Sequence, residues 1–451
     1  MMLVRPLWRG FCQTVTRIFY RRCEVEGLEY LPTEGGVLLC ANHANALADA
    51  VILQSVSQRI VHPLARSGLF RNPLLRPILS LLQAVPIYRR QDVGSDTTQN
   101  IDSFARCYEL FTQGEILLVF PEGQSHSDSQ LREVKTGAAR MALGARQSSG
   151  LAPTIVPVGL MFTGKGKFRS SVLVKFGPAI TAQQLPTGNG EDDVRALTQT
   201  LSAAMGDVTL NADSWDELDL IQRLERFFAM RHGKYRKRSL DLRFRAMKKL
   251  GQAHAELQRR YPIELERLNR HLHQFERQCR RWGIHDYHLT VSYRPMLVTR
   301  FLLRSLFILA IILPLALWGL LNSYAPFMLT RHLARLGARG TDQYDTAKMV
   351  LGLFLFPIFW GLQISVVYSY FSETAAWWYA LSLPPTAAAV LMLRRERERI
   401  LENMRVFFLF VRRKKLRRYL EARRQELEKE LAQLVRMAKA GAHRWSRDLH
   451  K

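Results

Sequence analysis

Cysteine is scarce in this chain, and its five cysteines are scattered at Cys12, Cys23, Cys40, Cys107 and Cys279. No two of them have the CxxC spacing of a redox or zinc motif, and they do not form a disulfide framework. This scarcity argues against a disulfide-stapled secreted domain and against a zinc site. It indicates a protein that resides in a reducing compartment.

Acidic residues are few compared with basic ones, since 39 Asp and Glu face 65 Lys and Arg and give a formal net charge of +26. Such an excess predicts a polyanionic partner, either nucleic acid or an anionic lipid surface. The sequence has no helix-turn-helix, zinc or RNP-type motif, which disfavours nucleic acid. We therefore expect anionic membrane lipids as the partner.

Charge is missing altogether from three segments, residues 305–330, 349–372 and 374–393. About 20 apolar residues are needed to cross a bilayer, so we predict a membrane region over 299–393. Only Glu373 separates the second and third segments, whose outer flanks are basic, so these two form a hairpin with cytoplasmic ends. The first segment has basic flanks on both sides and internal prolines. It is therefore either a single span or a re-entrant hairpin.

The N-terminal residues 1–23 are basic and aromatic and lack the apolar run of a signal peptide. Helical spacing places Leu7, Trp8, Phe11 and Val15 on one side. Two interpretations stay open, a basic amphipathic helix at the membrane interface and an ordinary surface helix.

Residues 24–185 alternate between apolar, strand-like runs and helical stretches. The runs are 36–40, 115–120, 154–160 and 171–176, and the helical stretches include 101–112 and 134–145. This alternation predicts an α/β domain with a mostly parallel sheet flanked by helices. In such sheets the chemistry lies where strands end and loops begin.

The remaining segments read as helical and charged. Residues 186–298 contain a heptad stripe from Tyr261 to Trp282, opened by Pro262 and closed by Gly283. We expect this stripe to pack on neighbouring helices or on the membrane surface. Residues 394–451 predict a further basic amphipathic helix on the cytoplasmic side. The predicted fold is thus an α/β domain followed by a helical, membrane-integrated C-terminal half.

Three stretches of the α/β domain carry groups suited to chemistry. In "ANHANALAD", His43 follows a strand end and Asp49 lies close enough to orient its ring, as a general base requires. Arg89 in "VPIYRR" offers a guanidinium fork for phosphate. "FPEGQS" places Glu122 and Ser125 at another strand end. Taken singly, these residues are equally consistent with a loop histidine, a surface charge and a turn.

Taken in this order, the three stretches resemble the PlsC-like glycerolipid acyltransferases. Asn42, His43 and Asp49 match the first block of that family, "AVPIYRR" the second, "FPEGQS" the third, and "IVPVGL" with Pro157 the fourth. The resemblance covers residues 24–180. His43 and Asp49 are separated by five residues instead of the more common four. Together with Asn45, this spacing is similar to the H-x-N-x-x-x-D subset, which resembles glycerol-3-phosphate or dihydroxyacetone-phosphate acyltransferases.

The resemblance implies transfer of a fatty acyl group from an acyl thioester to the hydroxyl of a phosphorylated glycerol. His43 and Asp49 would be catalytic. The implied substrate-binding residues are Asn42, Asn45, Arg89, Glu122, Gly123, Ser125 and Lys135. It implies no metal and no cofactor, with acyl-CoA or acyl carrier protein as the donor. The catalytic domain of such an integral membrane protein would lie on the cytoplasmic face.

Three alternatives remain open at the level of sequence. The acceptor can be a lysophospholipid, 1-acylglycerol 3-phosphate. "GQSHS" resembles a nucleophile elbow, although Ser127 stands where the second glycine belongs, so a membrane-anchored serine esterase using Ser125 or Ser127 is a second alternative. The third is a membrane scaffold without catalysis, built on the helical stripes.

Overall fold

The computed structural model describes residues 4–73, 75–88, 100–126, 128–231, 239–285, 287–290, 295–337 and 340–448. The chain divides into two compact units. The first, which we call the sheet unit, comprises the described residues of Met1–Trp215, Ser239–Phe244 and Thr330–Phe354. The second, the helical unit, comprises those of Asp216–Arg238, Arg245–Leu329 and Leu355–Lys451.

Strands and helices alternate along the first part of the chain. The strands are β1 (Arg22–Glu26), β2 (Val37–Ala41), β3 (Val61–Arg66), β4 (Val85–Ile87), β5 (Ile116–Val119), β6 (Thr154–Phe162) and β7 (Ser171–Phe176). The helices are α1 (Val4–Phe19), α2 (Leu47–Val56), α3 (Arg76–Leu81), α4 (Asn100–Thr112), α5 (Gly137–Ser149) and α6 (Glu191–Val208). The order of these elements confirms the α/β class predicted from the alternating pattern.

The strands form one sheet in the order β1-β7-β6-β2-β5-β3-β4. Five of its six pairings are parallel, and β6 with β7 is the antiparallel one. β2 lies in the middle and is buried on both faces. Its Leu38 and Cys40 pack into one apolar core, and Val37 and Leu39 pack into the other. Burial on both faces is why this strand reads as an unbroken apolar run.

Four strands fall where the apolar runs predicted them, namely β2, β5, β6 and β7. The sequence did not reveal β1, β3 or β4. β3 and β4 contain Pro63 and Pro86, which lack the amide hydrogen of a regular strand. β4 also lies at the edge of the sheet, where a proline is tolerated.

Helix α1 buries one side against the protein. Trp8 and Cys12 pack with Ile60 and Leu82 in a small apolar core, whereas the Leu7 side chain is 72% exposed. The predicted apolar side of this helix is therefore divided between the protein interior and the surface. The interfacial role of residues 1–23 stays a prediction.

The remaining helices are long. They are α7 (Trp215–Arg231), α8 (Leu240–Arg260), α9 (Pro262–Trp282), α10 (Tyr287–Thr290), α11 (Pro295–Gly337), α12 (Thr341–Tyr370), α13 (Glu373–Arg412) and α14 (Lys414–Asp448). In the helical unit, the heptad stripe of α9 is buried against leucines of α14. Gly283 ends α9 with a φ of +64°, the left-handed conformation that favours glycine at a helix end.

Three of these helices are long and apolar enough to cross a membrane. The qualifying stretches are Leu303–Gly337, Gln343–Tyr370 and Glu373–Arg394. Only 6% of the most apolar window of α12 is buried in protein. An apolar surface of this size left uncovered indicates association with a membrane.

Residues 305–330 lie in one continuous helix, α11, which runs through Pro314 and Pro326, and the number of membrane crossings of this segment stays a prediction. Pro326 has no amide hydrogen, so the carbonyl of Asn322, four residues earlier, lacks its usual helical partner. The side-chain amide of Gln363 donates to that carbonyl at 3.1 Å. This substitute hydrogen bond lets the helix continue past the proline.

Candidate active site

The site begins at the carboxyl end of the central strand β2. Asn42 follows the strand and pairs with the backbone of β6. Its Nδ2 donates to the Leu160 carbonyl at 3.2 Å, and its Oδ1 accepts from the Leu160 amide at 2.6 Å. Asn42, which the resemblance assigns to the substrate, thus ties the start of the turn to the sheet.

His43 and Asp49 form a hydrogen-bonded pair. Nδ1 of His43 lies 3.0 Å from Oδ2 of Asp49, whose side chain is fully buried, while 18% of the His43 side chain remains exposed. The backbone amide of Asn45 also donates to Asp49 Oδ2, at 2.7 Å. A carboxylate only accepts hydrogen bonds, so Nδ1 carries the proton and the Nε2 lone pair is left to act as a base.

The longer spacing between these two residues is accommodated by an unusual turn. Ala46 has a φ of +47°, a conformation that alanine rarely adopts, and it immediately precedes α2. Asp49 lies in the first turn of α2, facing back toward His43. The positive φ of Ala46 turns the chain so that His43 and Asp49 can form their hydrogen bond across five intervening residues.

The ring of His43 is also fixed on its flat side. It stacks on Phe120 with a centroid separation of 3.8 Å and an interplanar angle of 14°. Phe120 follows β5, the parallel neighbour of β2, so the two strand ends bring these rings together. Stacking and the bond to Asp49 leave the imidazole little freedom to rotate.

Glu122 holds the two strand-end loops to each other. Its buried carboxylate accepts the backbone amides of His43 at 2.7 Å and Arg132 at 3.0 Å, and it accepts a hydrogen bond from Nε2 of His126. Burial raises the pKa of Glu122, but these three donors outweigh burial and hold the pKa below its ordinary value of 4.5. Glu122 is therefore positioned as an internal anion that fixes the His43 loop.

The rest of the third block lies beside an open depression, which Gln124 helps to line. Gly123 has a φ of +77°, and a Cβ there would come within 2.9 Å of the Lys135 ammonium. Lys135 is exposed and lines a depression of about 730 Å³ together with Glu122 and Arg132. Ser125 is half-buried on the same loop. Glycine at 123 thus lets a cationic side chain lie directly over the loop.

Two residues of the sequence hypothesis, Arg89 and Ser127, lie outside the described residues. The phosphate-binding role of Arg89 and the nucleophile role of Ser127 therefore stay predictions. Within the described parts of the chain, no group of three or more His, Cys, Asp or Glu side chains is arranged to hold a metal ion.

Sequence reasoning missed several residues of this site. His126 was noticed only as part of a serine motif, yet its Nδ1 accepts the Asp128 amide at 3.1 Å while Nε2 faces Glu122. Tyr20 and Asp345 both contact the buried Asn45 side chain, at 3.0 and 3.1 Å. Asn45 and Asp345 are 300 positions apart, so no local pattern could have revealed this contact.

A hydrogen-bonded His–Asp pair at the end of a central parallel strand, with a carboxylate-anchored loop beside it, is an arrangement suited to acid–base chemistry. The family model described as Acyltransferase matches residues 22–161, which contain β1 to β5 and nearly all of β6. Residues 22–161 thus form an acyltransferase domain, and the resemblance to the PlsC-like glycerolipid acyltransferases read from the motifs is confirmed over this part of the chain.

Known relatives are similar over part of the chain. Glycerol-3-phosphate O-acyltransferase 1 of Saccharomyces cerevisiae is 24% identical over 302 residues, which cover 47% of this chain and 40% of the relative. Glycerol-3-phosphate O-acyltransferase 2 of the same yeast is 29% identical over 140 residues, covering 30% and 19%. The chain thus spans less than half the length of either relative.

A crystal structure of the 1-acyl-sn-glycerophosphate acyltransferase PlsC from Thermotoga maritima is a distant structural neighbour. It shares 18% sequence identity and a TM-score of 0.35, covering 45% of this chain and 78% of the PlsC chain. A structural similarity this weak gives no information about the substrate of the chain described here.

Proposed function

We propose that the protein is a membrane-bound O-acyltransferase that moves a fatty acyl group from an acyl thioester to the hydroxyl of glycerol 3-phosphate or dihydroxyacetone phosphate. The observation that carries the proposal is the His43–Asp49 pair, formed at 3.0 Å within the acyltransferase-family domain. The two yeast relatives named as glycerol-3-phosphate acyltransferases favour this acceptor class over 1-acylglycerol 3-phosphate.

The pair performs the reaction by general-base catalysis. Nε2 of His43 removes the proton from the acceptor hydroxyl, and the oxygen attacks the thioester carbonyl. The tetrahedral intermediate expels the thiolate, which takes the proton back from Nε2, so free CoA or acyl carrier protein leaves as the thiol. Asp49 stabilises the imidazolium formed in between and keeps Nδ1 protonated.

The apolar helices give this chemistry its location. Acyl chains partition into lipid, so a domain attached to α11–α13 meets both the donor chain and the product at the bilayer surface. Basic residues that flank these helices, such as Arg331 and Arg394, bind anionic headgroups with about 1 kcal/mol each. By the positive-inside rule, we place the acyltransferase domain on the cytoplasmic face.

An acceptor panel tests the function. Full-length protein in liposomes is given one acyl-CoA and either glycerol 3-phosphate, dihydroxyacetone phosphate or 1-acylglycerol 3-phosphate, and release of free CoA is followed with a thiol reagent. We expect release with one of the first two acceptors. Release with 1-acylglycerol 3-phosphate alone would assign the protein to the second step of phosphatidic acid synthesis. Release without any acceptor would instead indicate a thioesterase or esterase.

Arg89→Ala is expected to raise KM for the phosphorylated acceptor about tenfold or more, with little change in KM for acyl-CoA. The reason is that a charge-assisted hydrogen bond to phosphate contributes about 1.5–3 kcal/mol. Steady-state kinetics with each substrate varied in turn measure the KM for the acceptor and the KM for acyl-CoA separately. Arg90→Ala is the matched control, and equal KM values for the Arg89 and Arg90 variants would remove the phosphate-binding role.

Ser125→Ala is expected to keep most of the kcat for acyl transfer and to act mainly on KM for the acceptor, since the proposed mechanism forms no acyl-serine and the resemblance assigns Ser125 to substrate binding. A serine nucleophile requires an adjacent base and a sharp glycine turn, and "GQSHS" lacks the second glycine. Mass spectrometry of protein quenched during turnover checks for an acyl adduct. An acyl group trapped on Ser125, together with loss of kcat in the alanine variant, would favour the esterase alternative.

A further inference from the structure

The turn that carries His43 ends in a helix with no cap of its own. α2 starts after Ala46, whose methyl side chain accepts no hydrogen bond from the first amides of the helix. Ala46 itself has a φ of +47°. A rarely adopted backbone conformation persists only where surrounding groups hold it. The groups that hold this turn therefore also determine where His43 and Asp49 lie.

Thr346, in the first turns of α12, supplies the missing cap. Its hydroxyl donates to the carbonyl of Asn45 at 3.1 Å and accepts the amide of Ala48 at 3.2 Å. These two backbone groups flank Ala46 on either side. The amide of Ala48 also donates to the carbonyl of Asn45, at 3.1 Å. Thr346, some 300 positions away in the sequence, thus reinforces both ends of the turn between the proposed base and its partner.

Asp345, the residue before Thr346, fixes the side chain in the same turn. Its Oδ2 accepts Nδ2 of Asn45 at 3.1 Å and the backbone amide of Gly166 at 3.0 Å. Its Oδ1 accepts Nζ of Lys348 at 3.2 Å. Both Asn45 and Asp345 are buried, so these bonds are made without competition from water.

Tyr20 completes the enclosure of Asn45. Nδ2 of Asn45 donates to the Tyr20 hydroxyl at 3.0 Å. Burial, and then the negative charges of Asp345 and Asp49, raise the pKa of Tyr20, so the phenol stays neutral. The side-chain amide of Asn45 therefore donates to a neutral hydroxyl and to a carboxylate, and these two bonds fix its orientation.

We propose that Asp345 and Thr346 are positioning residues for the His43–Asp49 pair, so that the start of an apolar, membrane-type helix sets the geometry of the reaction site. The inference rests on the proposed function and deepens it. In this role Asp345 acts through Asn45, whose side-chain amide it accepts, and not on the reacting atoms themselves. Thr346 acts through the two backbone groups beside Ala46.

The test compares Asp345→Ala, Asp345→Asn and the control Gln343→Ala in full-length protein in liposomes, with acyl-CoA and glycerol 3-phosphate. Gln343 lies in the same first turns of α12 but is exposed. We expect D345A to lower kcat on the order of tenfold to a hundredfold with KM nearly unchanged, because a small displacement of a catalytic group has this effect. D345N keeps an oxygen that accepts from Asn45 and Gly166, and should recover most of kcat.

A double-mutant cycle separates positioning from general destabilisation. If Asp345 acts through Asn45, the Asn45→Ala and Asp345→Ala effects on kcat are not additive, and the double variant falls no further than the worse single one. The proposal would be overturned if the double variant lost kcat by the product of the two single losses. It would also be overturned if D345A had the same kcat as Q343A. Should D345A fail to fold, Thr346→Val keeps the side-chain volume, and a kcat equal to that of Q343A would overturn the proposal for Thr346.

A readout independent of turnover distinguishes failure of this inference from failure of the proposed function. Diethyl pyrocarbonate modifies accessible imidazoles, and peptide mass spectrometry gives the rate at His43. We expect faster modification of His43 in D345A than in Q343A, because the ring loses its fixed position between Asp49 and Phe120. An unchanged rate overturns the positioning role even in a protein that uses another acceptor. Absence of any acyl transfer by the wild-type chain overturns the function alone.

Discussion

Replacing His43 with alanine is expected to lower kcat for acyl transfer by about three orders of magnitude, with KM for both substrates nearly unchanged. A positioned general base contributes about 10²- to 10⁴-fold, and His43 is the group whose Nε2 is left available by the bond to Asp49. The alanine side chain removes the base without filling the site with a new charge. CoA release by protein in liposomes, normalised to folded protein, measures the effect.

His271→Ala is the matched control for this experiment. Its Nδ1 lies 3.0 Å from Oε2 of Glu430, the same separation as in the His43–Asp49 pair, but this pair lies in the helical unit. We expect wild-type kcat from this variant. If His43→Ala retained more than a tenth of the wild-type kcat, a smaller loss than any positioned base accounts for, the assignment of His43 as the base would fall.

Replacing Glu122 with alanine is expected to destabilise the protein by about 3–5 kcal/mol, the largest stability effect that we predict. The change leaves the partly buried amides of His43 and Arg132, and Nε2 of His126, without their acceptor. Activity should fall with it, because the His43 loop loses the group that fixes it to the strand end of β5. Thermal unfolding in detergent measures the loss of stability.

The contribution of Glu122 also depends on pH in a defined direction. Its pKa is lowered in the folded state, so the unfolded chain binds the proton more readily. The stabilisation is therefore complete above the ordinary glutamate pKa of 4.5 and is lost as pH falls below that value through the lower, folded-state pKa. Wild-type protein should lose stability in this acidic window more steeply than Glu122→Ala.

Glu109→Ala serves as the control for the stability experiment. Glu109 forms an ion pair with Arg106 on the surface, with more than half of both side chains exposed. Exposed pairs contribute about 0–1 kcal/mol, so this variant should unfold close to the wild-type temperature. A Glu122 variant with equally small loss would show that its three donors find other partners.

The sequence by itself determined the class of the fold, the family and the membrane-type helices. Runs such as those of β2 and β5 are unbroken because both faces of these central strands are buried, and the charge-free segments reach the length of a bilayer span. His43, Asp49 and Glu122 could be named because their motifs are local. Local motifs are visible in a sequence since the residues that act together are close along the chain.

Only the tertiary structure decided how these residues are held. It brought His43 and Asp49 together through a turn in which Ala46 has a positive φ. It gave the Glu122 carboxylate three hydrogen-bond donors from two loops, and it made α11 a continuous helix where the sequence also allowed a hairpin. It also brought Asp345 and Thr346 against Asn45. These contacts join residues far apart in the chain, and their partners are backbone groups or single side chains. Neither kind of contact leaves a periodicity or spacing from which a sequence predicts it.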